Sequence, residues 1–141
     1  MGAPGLRRRQ RVTSLHLHVL DSGALTRLAG SPAKIAVMVR ARASLVVPAT
    51  VLAESLTGDH RRDVRTNRVL RYCDIVPIDE PRARLAARLR TTATGHTASA
   101  VDATVIAVAA ELPGCTVLTT DVGDLGPLAQ MVVPAVAVFA V

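Results

Sequence analysis

Apolar and polar positions along this chain fall into short blocks that read in turn as strands and helices. Residues 15–20 carry apolar side chains at 15, 17, 19 and 20 with His16 and His18 between them, a period near two that predicts a strand with one face less buried than the other. Ser22 can cap a helix to about Ala29, which Gly30 then ends. Ser31-Pro32 supplies an N-cap and a first-turn proline for a helix to about Arg42, with Ile35, Met38 and Val39 inward. Residues 45–47 read as a strand, 49–56 as a helix closed by Gly58, and 59–73 as a strongly basic helix. A strand over 74–78, a helix over 80–90 with Leu85, Ala86 and Leu89 inward, and a polar loop over 91–97 follow. Residues 99–112 are apolar on every side and predict a helix buried on most of them, stopped by Pro113-Gly114. A strand over 115–120, a short helix over 124–130 and an apolar strand over 132–141 complete the chain. The alternation predicts one α/β domain with a mainly parallel sheet of about five strands.

At 141 residues, half of them apolar, the chain can bury a full core. With one Tyr, one Phe and no Trp, that core is built from aliphatics and alanine. No apolar run is long enough to cross a bilayer, and His16, His18 and Asp21 interrupt anything like a signal peptide, so a cytoplasmic protein without membrane contact is expected. Cys73 and Cys115 form no metal motif and read as buried reduced thiols. Residues 1–14, with Arg7-Arg8-Arg9 and Arg11, read as a disordered basic arm ahead of a domain over 15–141.

The net charge of +6 is less informative than its distribution, since all but one of the 17 cations are Arg and such a bias can arise from codon composition. Four stretches each end in an acid: Asp21 after the first strand, Glu54 and Asp102 early in helices, and Asp121 with Asp124 after the fourth strand. They account for five of the 11 acids, which leaves 17 cations against six anions elsewhere. An acidic centre in a basic surround suits a metal-dependent enzyme acting on a polyanion. Ligands of parallel sheets sit at the C-terminal strand ends, where Asp21 and Asp121 fall; Glu54 and Asp102 join them only if their helices pack on that edge. Oxygen ligands favour Mg²⁺ or Mn²⁺ over zinc. Each acid also has a plainer reading: Asp21, Asp121 and Asp124 as turn or cap residues, Glu54 as a surface residue, Asp102 as half of a capping box with Ser99. On the basic helix, Arg61, Arg65 and Arg68 are either phosphate contacts or a solvated face.

Taken in order, the motifs Leu20-Asp21-Ser22-Gly23-Ala24-Leu25, Val47-Pro48 to Ala53-Glu54, Ala100-Val101-Asp102-Ala103 and Leu118-Thr119-Thr120-Asp121 with Asp124-Leu125 resemble those of PIN domains of the kind found as the toxin half of VapBC toxin–antitoxin pairs. The resemblance spans residues 15–141 and implies a three-layer PIN-like fold. It also implies a Mg²⁺- or Mn²⁺-dependent endoribonuclease cutting single-stranded RNA. Asp21, Glu54, Asp102 and Asp121 are the implied catalytic acids, Asp21, Asp102, Asp121 and Asp124 the implied metal ligands, and Thr119 or Thr120 the hydroxyl that orients a ligand. A homodimer and a small antitoxin are the implied partners, the antitoxin's C-terminal segment lying on apolar helix surface near 31–42 and 51–56 beside Arg40, Arg42, Arg61 and Arg62. Val122-Gly123 departs from the family, which often has another polar residue there. A receiver domain would want an acidic pair ending the first strand and a late Lys, and a dinucleotide site a Gly-rich turn; neither is present. The rival is a catalytically inactive PIN-like binding module.

Overall fold

In a computed structural model, which describes residues 16–92 and 98–141, five parallel strands lie between two layers of helices. The order of elements is β1 Leu17–Leu20, α1 Ser22–Ala29, α2 Pro32–Arg40, β2 Ser44–Pro48, α3 Ala49–Ser55, α4 His60–Leu70, β3 Cys73–Val76, α5 Glu80–Thr92, α6 Ala100–Ala109, β4 Thr116–Thr119, α7 Val122–Ala129 and β5 Ala137–Ala140. The basic arm expected over 1–14 and most of the loop expected over 91–97 lie outside the described residues. No described helix is long and apolar enough to cross a membrane.

The strands are ordered β3-β2-β1-β4-β5. Val19 of β1 sits between Val46 of β2 and Val117 of β4. Right-handed crossovers put α1 to α4, which lead leftward from β1, on one face, and α5 to α7, which lead rightward, on the other. The direction in which successive strands are added therefore reverses between β1 and β4, and that is where the C-terminal strand ends open into a crevice. The all-round apolar α6 packs across β1, β2 and β4 with Ala103 to Ala109 buried, as its composition predicts.

The remaining boundaries differ from the sequence reading for identifiable reasons. Asp21, not Ser22, caps α1, accepting from Ala24 N at 2.7 Å. Val39 is 44% exposed and α2 buries none of its residues fully, so its predicted inner face is only partly used. β3 stops at Val76 because Pro77 has no N–H to give and its carbonyl accepts from Arg82 Nη1 at 2.9 Å. β5 is four residues long because Val136 N–H turns back to Ala129 O and closes the end of α7 instead. Cys73 and Cys115 are free thiols, pushed up by burial to about 12 and about 11.

Two charged side chains inside the fold carry loops. Asp63 is buried and accepts from Thr57 N and Oγ1 and from Gly58 N, bonds that hold its carboxyl below the usual range and pin the turn between α3 and α4, where Gly58 takes a left-handed φ of 83°. Arg82, 1% exposed, reaches Glu111 beyond the far end of α6 at 2.8 Å as well as Pro77 O. Losing charge-assisted bonds from a buried guanidinium costs on the order of 2 kcal/mol. Arg82→Ala should lower unfolding stability by about that much, measured by urea titration. Arg84→Ala, which breaks only the exposed pair with Glu80, should change it by less than about 0.5 kcal/mol.

Candidate active site

The five acids singled out by the sequence are delivered to the crevice by four elements. β1 runs through the fully buried Val19 and Leu20 and ends on Asp21, itself 6% exposed. One oxygen of Asp21 caps α1 and the other accepts from Thr119 Oγ1. Thr119, fully buried at the end of β4, uses the same hydroxyl to accept from Asp121 N at 2.9 Å, so one side chain joins the two strand-end acids. Asp121 in turn caps α7 through Asp124 N. Ser99 caps α6 by accepting from Asp102 N at 2.9 Å, which fixes Asp102 in that helix's first turn. Glu54, in the last turn of α3, accepts from Ser22 Oγ at 2.9 Å.

Asp21, Glu54, Asp102, Asp121 and Asp124 thus line one cavity of about 310 Å³, with Ser22, Gly23, Ser99, Thr120 and Leu125 completing the wall. Cap roles and site placement coexist in Asp21, Asp102 and Asp121, so the plainer readings of these residues do not compete with the chemical one. Gly23 packs closely on the wall: a Cβ there would lie 2.1 Å from Thr120 Oγ1, so that exposed hydroxyl would have to turn aside. Ser22, Gly23 and Ser99 were not singled out as site residues. The signal for Ser22 and Gly23 was present, since both directly follow the strand-end acid.

Crowding shows in the acidity. Burial raises the pKa of Asp21, opposed by the bonds from Thr119 and Ala24 and reinforced by Asp121 and Glu54. Burial likewise raises Asp102, opposed by Ser99 and reinforced by Asp21, Asp124 and Glu54. A cation would reverse both repulsive effects. The donor set is wholly oxygen, which fits a hard divalent ion. Among the described residues no three acidic, His or Cys side chains close into a preformed cage. Mg²⁺ needs none, because it keeps several waters and binds through one or two carboxylates.

Arg65 and Arg68 line a different cavity, of about 850 Å³, between α1, α2 and α4. Arg40, Arg71 and Tyr72 share its rim, and Leu28, Ile35, Val39 and Val69 its apolar floor. This apolar surface includes α2 as expected but uses α4 rather than 51–56, because Val51 is fully buried in the core. Arg61 is exposed at the start of α4 and lines neither cavity.

A family model for the PIN domain matches residues 19–123. No curated protein matches the chain. Among solved structures, FitAB bound to an IR36 DNA fragment is similar with 25% identity, a TM-score of 0.60, and coverage of 87% of this chain and 94% of that one. DNA-bound VapBC from Salmonella typhimurium is similar in fold at 12% identity and a TM-score of 0.63, covering 89% and 98%. VapC20 of Mycobacterium tuberculosis, a sarcin-ricin loop cleaving toxin, is similar in fold at 16% identity and a TM-score of 0.57, covering 77% and 93%.

The raised acids make a stability prediction with a definite sign. A carboxyl whose folded pKa exceeds its unfolded value disfavours the fold once both states are ionised; the penalty falls as pH drops through the folded pKa and vanishes below the unfolded one. In chelator at pH 7, Asp102→Asn should therefore raise the thermal midpoint. That gain should shrink as pH falls through the raised pKa of Asp102, read as midpoint against pH for both proteins.

Proposed function

The chain belongs to the PIN domain family, and from that premise we propose that it is a metal-dependent endoribonuclease that cuts single-stranded RNA as the toxin of a toxin–antitoxin pair. The observation that carries this reading is the convergence of five carboxylates from β1, α3, α6 and the start of α7 on one crevice. Asp21, Asp102, Asp121 and Asp124 would hold the ion. Mg²⁺ or Mn²⁺, when bound, supplies a Lewis acid for the phosphodiester and lowers the pKa of water. Thr119 holds the carboxylate of Asp21 and the backbone N–H of Asp121, which ties the two strand ends together. Ser22 engages Oε2 of Glu54, so Oε1 is the atom placed to take the proton of an attacking water. Thr120, exposed on the cavity wall, is the hydroxyl available to an RNA oxygen.

The likeness to FitAB and VapBC supports an antitoxin partner in a cytoplasmic pair. The apolar groove between α1, α2 and α4, rimmed by Arg40, Arg65, Arg68 and Arg71, suits an amphipathic segment with acidic flanks. Placement of Arg65 and Arg68 on that rim favours the antitoxin over RNA as their ligand. A homodimer, which the family resemblance implies, is the competing occupant of the same groove.

Purified protein should cut single-stranded RNA with Mg²⁺ or Mn²⁺ and lose cleavage in EDTA. Asp21→Asn and Asp102→Asn should each lower kcat/KM by about 10²-fold or more while retaining the native circular dichroism spectrum. RNA binding without cleavage in any divalent ion would favour the inactive binding module. Expression alone should arrest growth, and co-expression of a small protein encoded next to it should restore growth. Arg65→Ala with Arg68→Ala should weaken that complex about tenfold, or 1.4 kcal/mol. The salt slope of RNA binding should stay unchanged; a flatter slope would return these arginines to phosphate contacts.

A further inference from the structure

α3 is lightly held for an element that brings a carboxylate to the crevice. It has seven residues and buries only Val51. Besides that anchor and the partly buried Leu52, two side-chain hydrogen bonds tie it to its neighbours: Ser22 to Glu54 at one end and Thr50 to Thr104 at the other. The Thr50 and Thr104 hydroxyl oxygens are 2.6 Å apart, and Thr104 is 6% exposed. Thr104 also donates to Val101 O at 2.7 Å. A hydroxyl has one proton, so Thr50 is the donor between the two threonines. A directed chain therefore runs from Thr50 in the first turn of α3, through Thr104, to the carbonyl of Val101 in the first turn of α6. Glu54 stands four residues after Thr50, on the same face of α3. Asp102 directly follows Val101.

We propose that Thr50 and Thr104 form a hydroxyl clasp that positions α3 against α6 and so sets the gap between Glu54 and Asp102, on which the affinity of the crevice for a divalent cation depends. Both are positioning residues, since neither lines the cavity. The inference rests on the metal-dependent reading of the site. With the clasp intact, Glu54 stays within the field of the acids that share the cavity. Without it, the contacts of Val51 and Leu52, the Ser22 bond and the pinned turn at Thr57 still hold α3, but its first turn loses its tie to α6 and the gap between Glu54 and Asp102 widens.

Thr50→Val keeps the β-branched shape and removes only the donor, while Thr104 retains its bond to Val101 O. Mn²⁺ binding to the intact protein, followed by calorimetry, should weaken three- to tenfold in Thr50→Val and stay within twofold of wild type in Thr50→Ser, which keeps the hydroxyl. Thr104→Val should match Thr50→Val, and the double variant should be no weaker than either, because both cut the same chain. Arg82→Ala lowers stability far from the crevice and should leave Mn²⁺ affinity unchanged. Thr50→Val with a lowered thermal midpoint but wild-type Mn²⁺ affinity would reduce the clasp to a structural bond and overturn the proposal. Weak Mn²⁺ binding in Thr50→Ser would assign the effect to the methyl group and overturn it too. Wild-type protein that takes up no Mn²⁺ would overturn the metal-dependent reading and this inference together, an outcome distinct from the other two.

Discussion

Pairing of β1 with β4 is the constraint on which the rest of this structure depends. The two strands are about a hundred residues apart in sequence, yet Val19 faces Val117 and the hydroxyl of Thr119 reaches Asp21. Bringing such distant segments together requires the chain to lay down β2 and β3 on one side of β1, cross back, and start again on the other. The crevice at that reversal is a by-product of the strand order, and so is the arrival of two strand ends, each closing in an acid, side by side.

Concentrating carboxylates at that point carries an electrostatic penalty, and the local structure offsets part of it. α1, α6 and α7 all begin at the crevice, capped by Asp21, Ser99 and Asp121. Their N-terminal ends carry partial positive charge, which favours anions within the first turn. The backbone N–H groups of Ala24 and Asp124 are satisfied by carboxylate oxygens of Asp21 and Asp121. Asp21 and Asp121 thus both start helices and belong to the acids proposed to bind the cation, while Asp102 and Asp124 lie in the first turns of α6 and α7.

Much of this was legible in the sequence, because strand-end acids and first-turn acids are local patterns. The strand–helix alternation gave the fold class, and Asp21, Glu54, Asp102, Asp121 and Asp124 were identifiable one stretch at a time. What depends on contacts between distant segments was not. Val39 fitted the inner stripe of a helix, but α2 sits at the margin, where an apolar face lines a groove instead of a core. Arg82 and Asp63 stand in charged stretches of α5 and α4, and only the packed fold reveals that each is buried on loop carbonyls or amides. Arg65 and Arg68 shared a helical spacing with Arg61, which says nothing of which cavity a helix face meets. Thr50 and Thr104 carried no signal at all, being small residues in two apolar helices 54 positions apart.

The contact between Gly23 and Thr120 bears on how such a chain can change over generations. A Cβ at 23 would meet the hydroxyl of the exposed Thr120, so the two positions are coupled through the side-chain rotamer at 120. A larger residue at 23 fits once the side chain at 120 turns aside or is made smaller. A change at 23 therefore also reshapes the wall of the crevice at 120, just beyond β4.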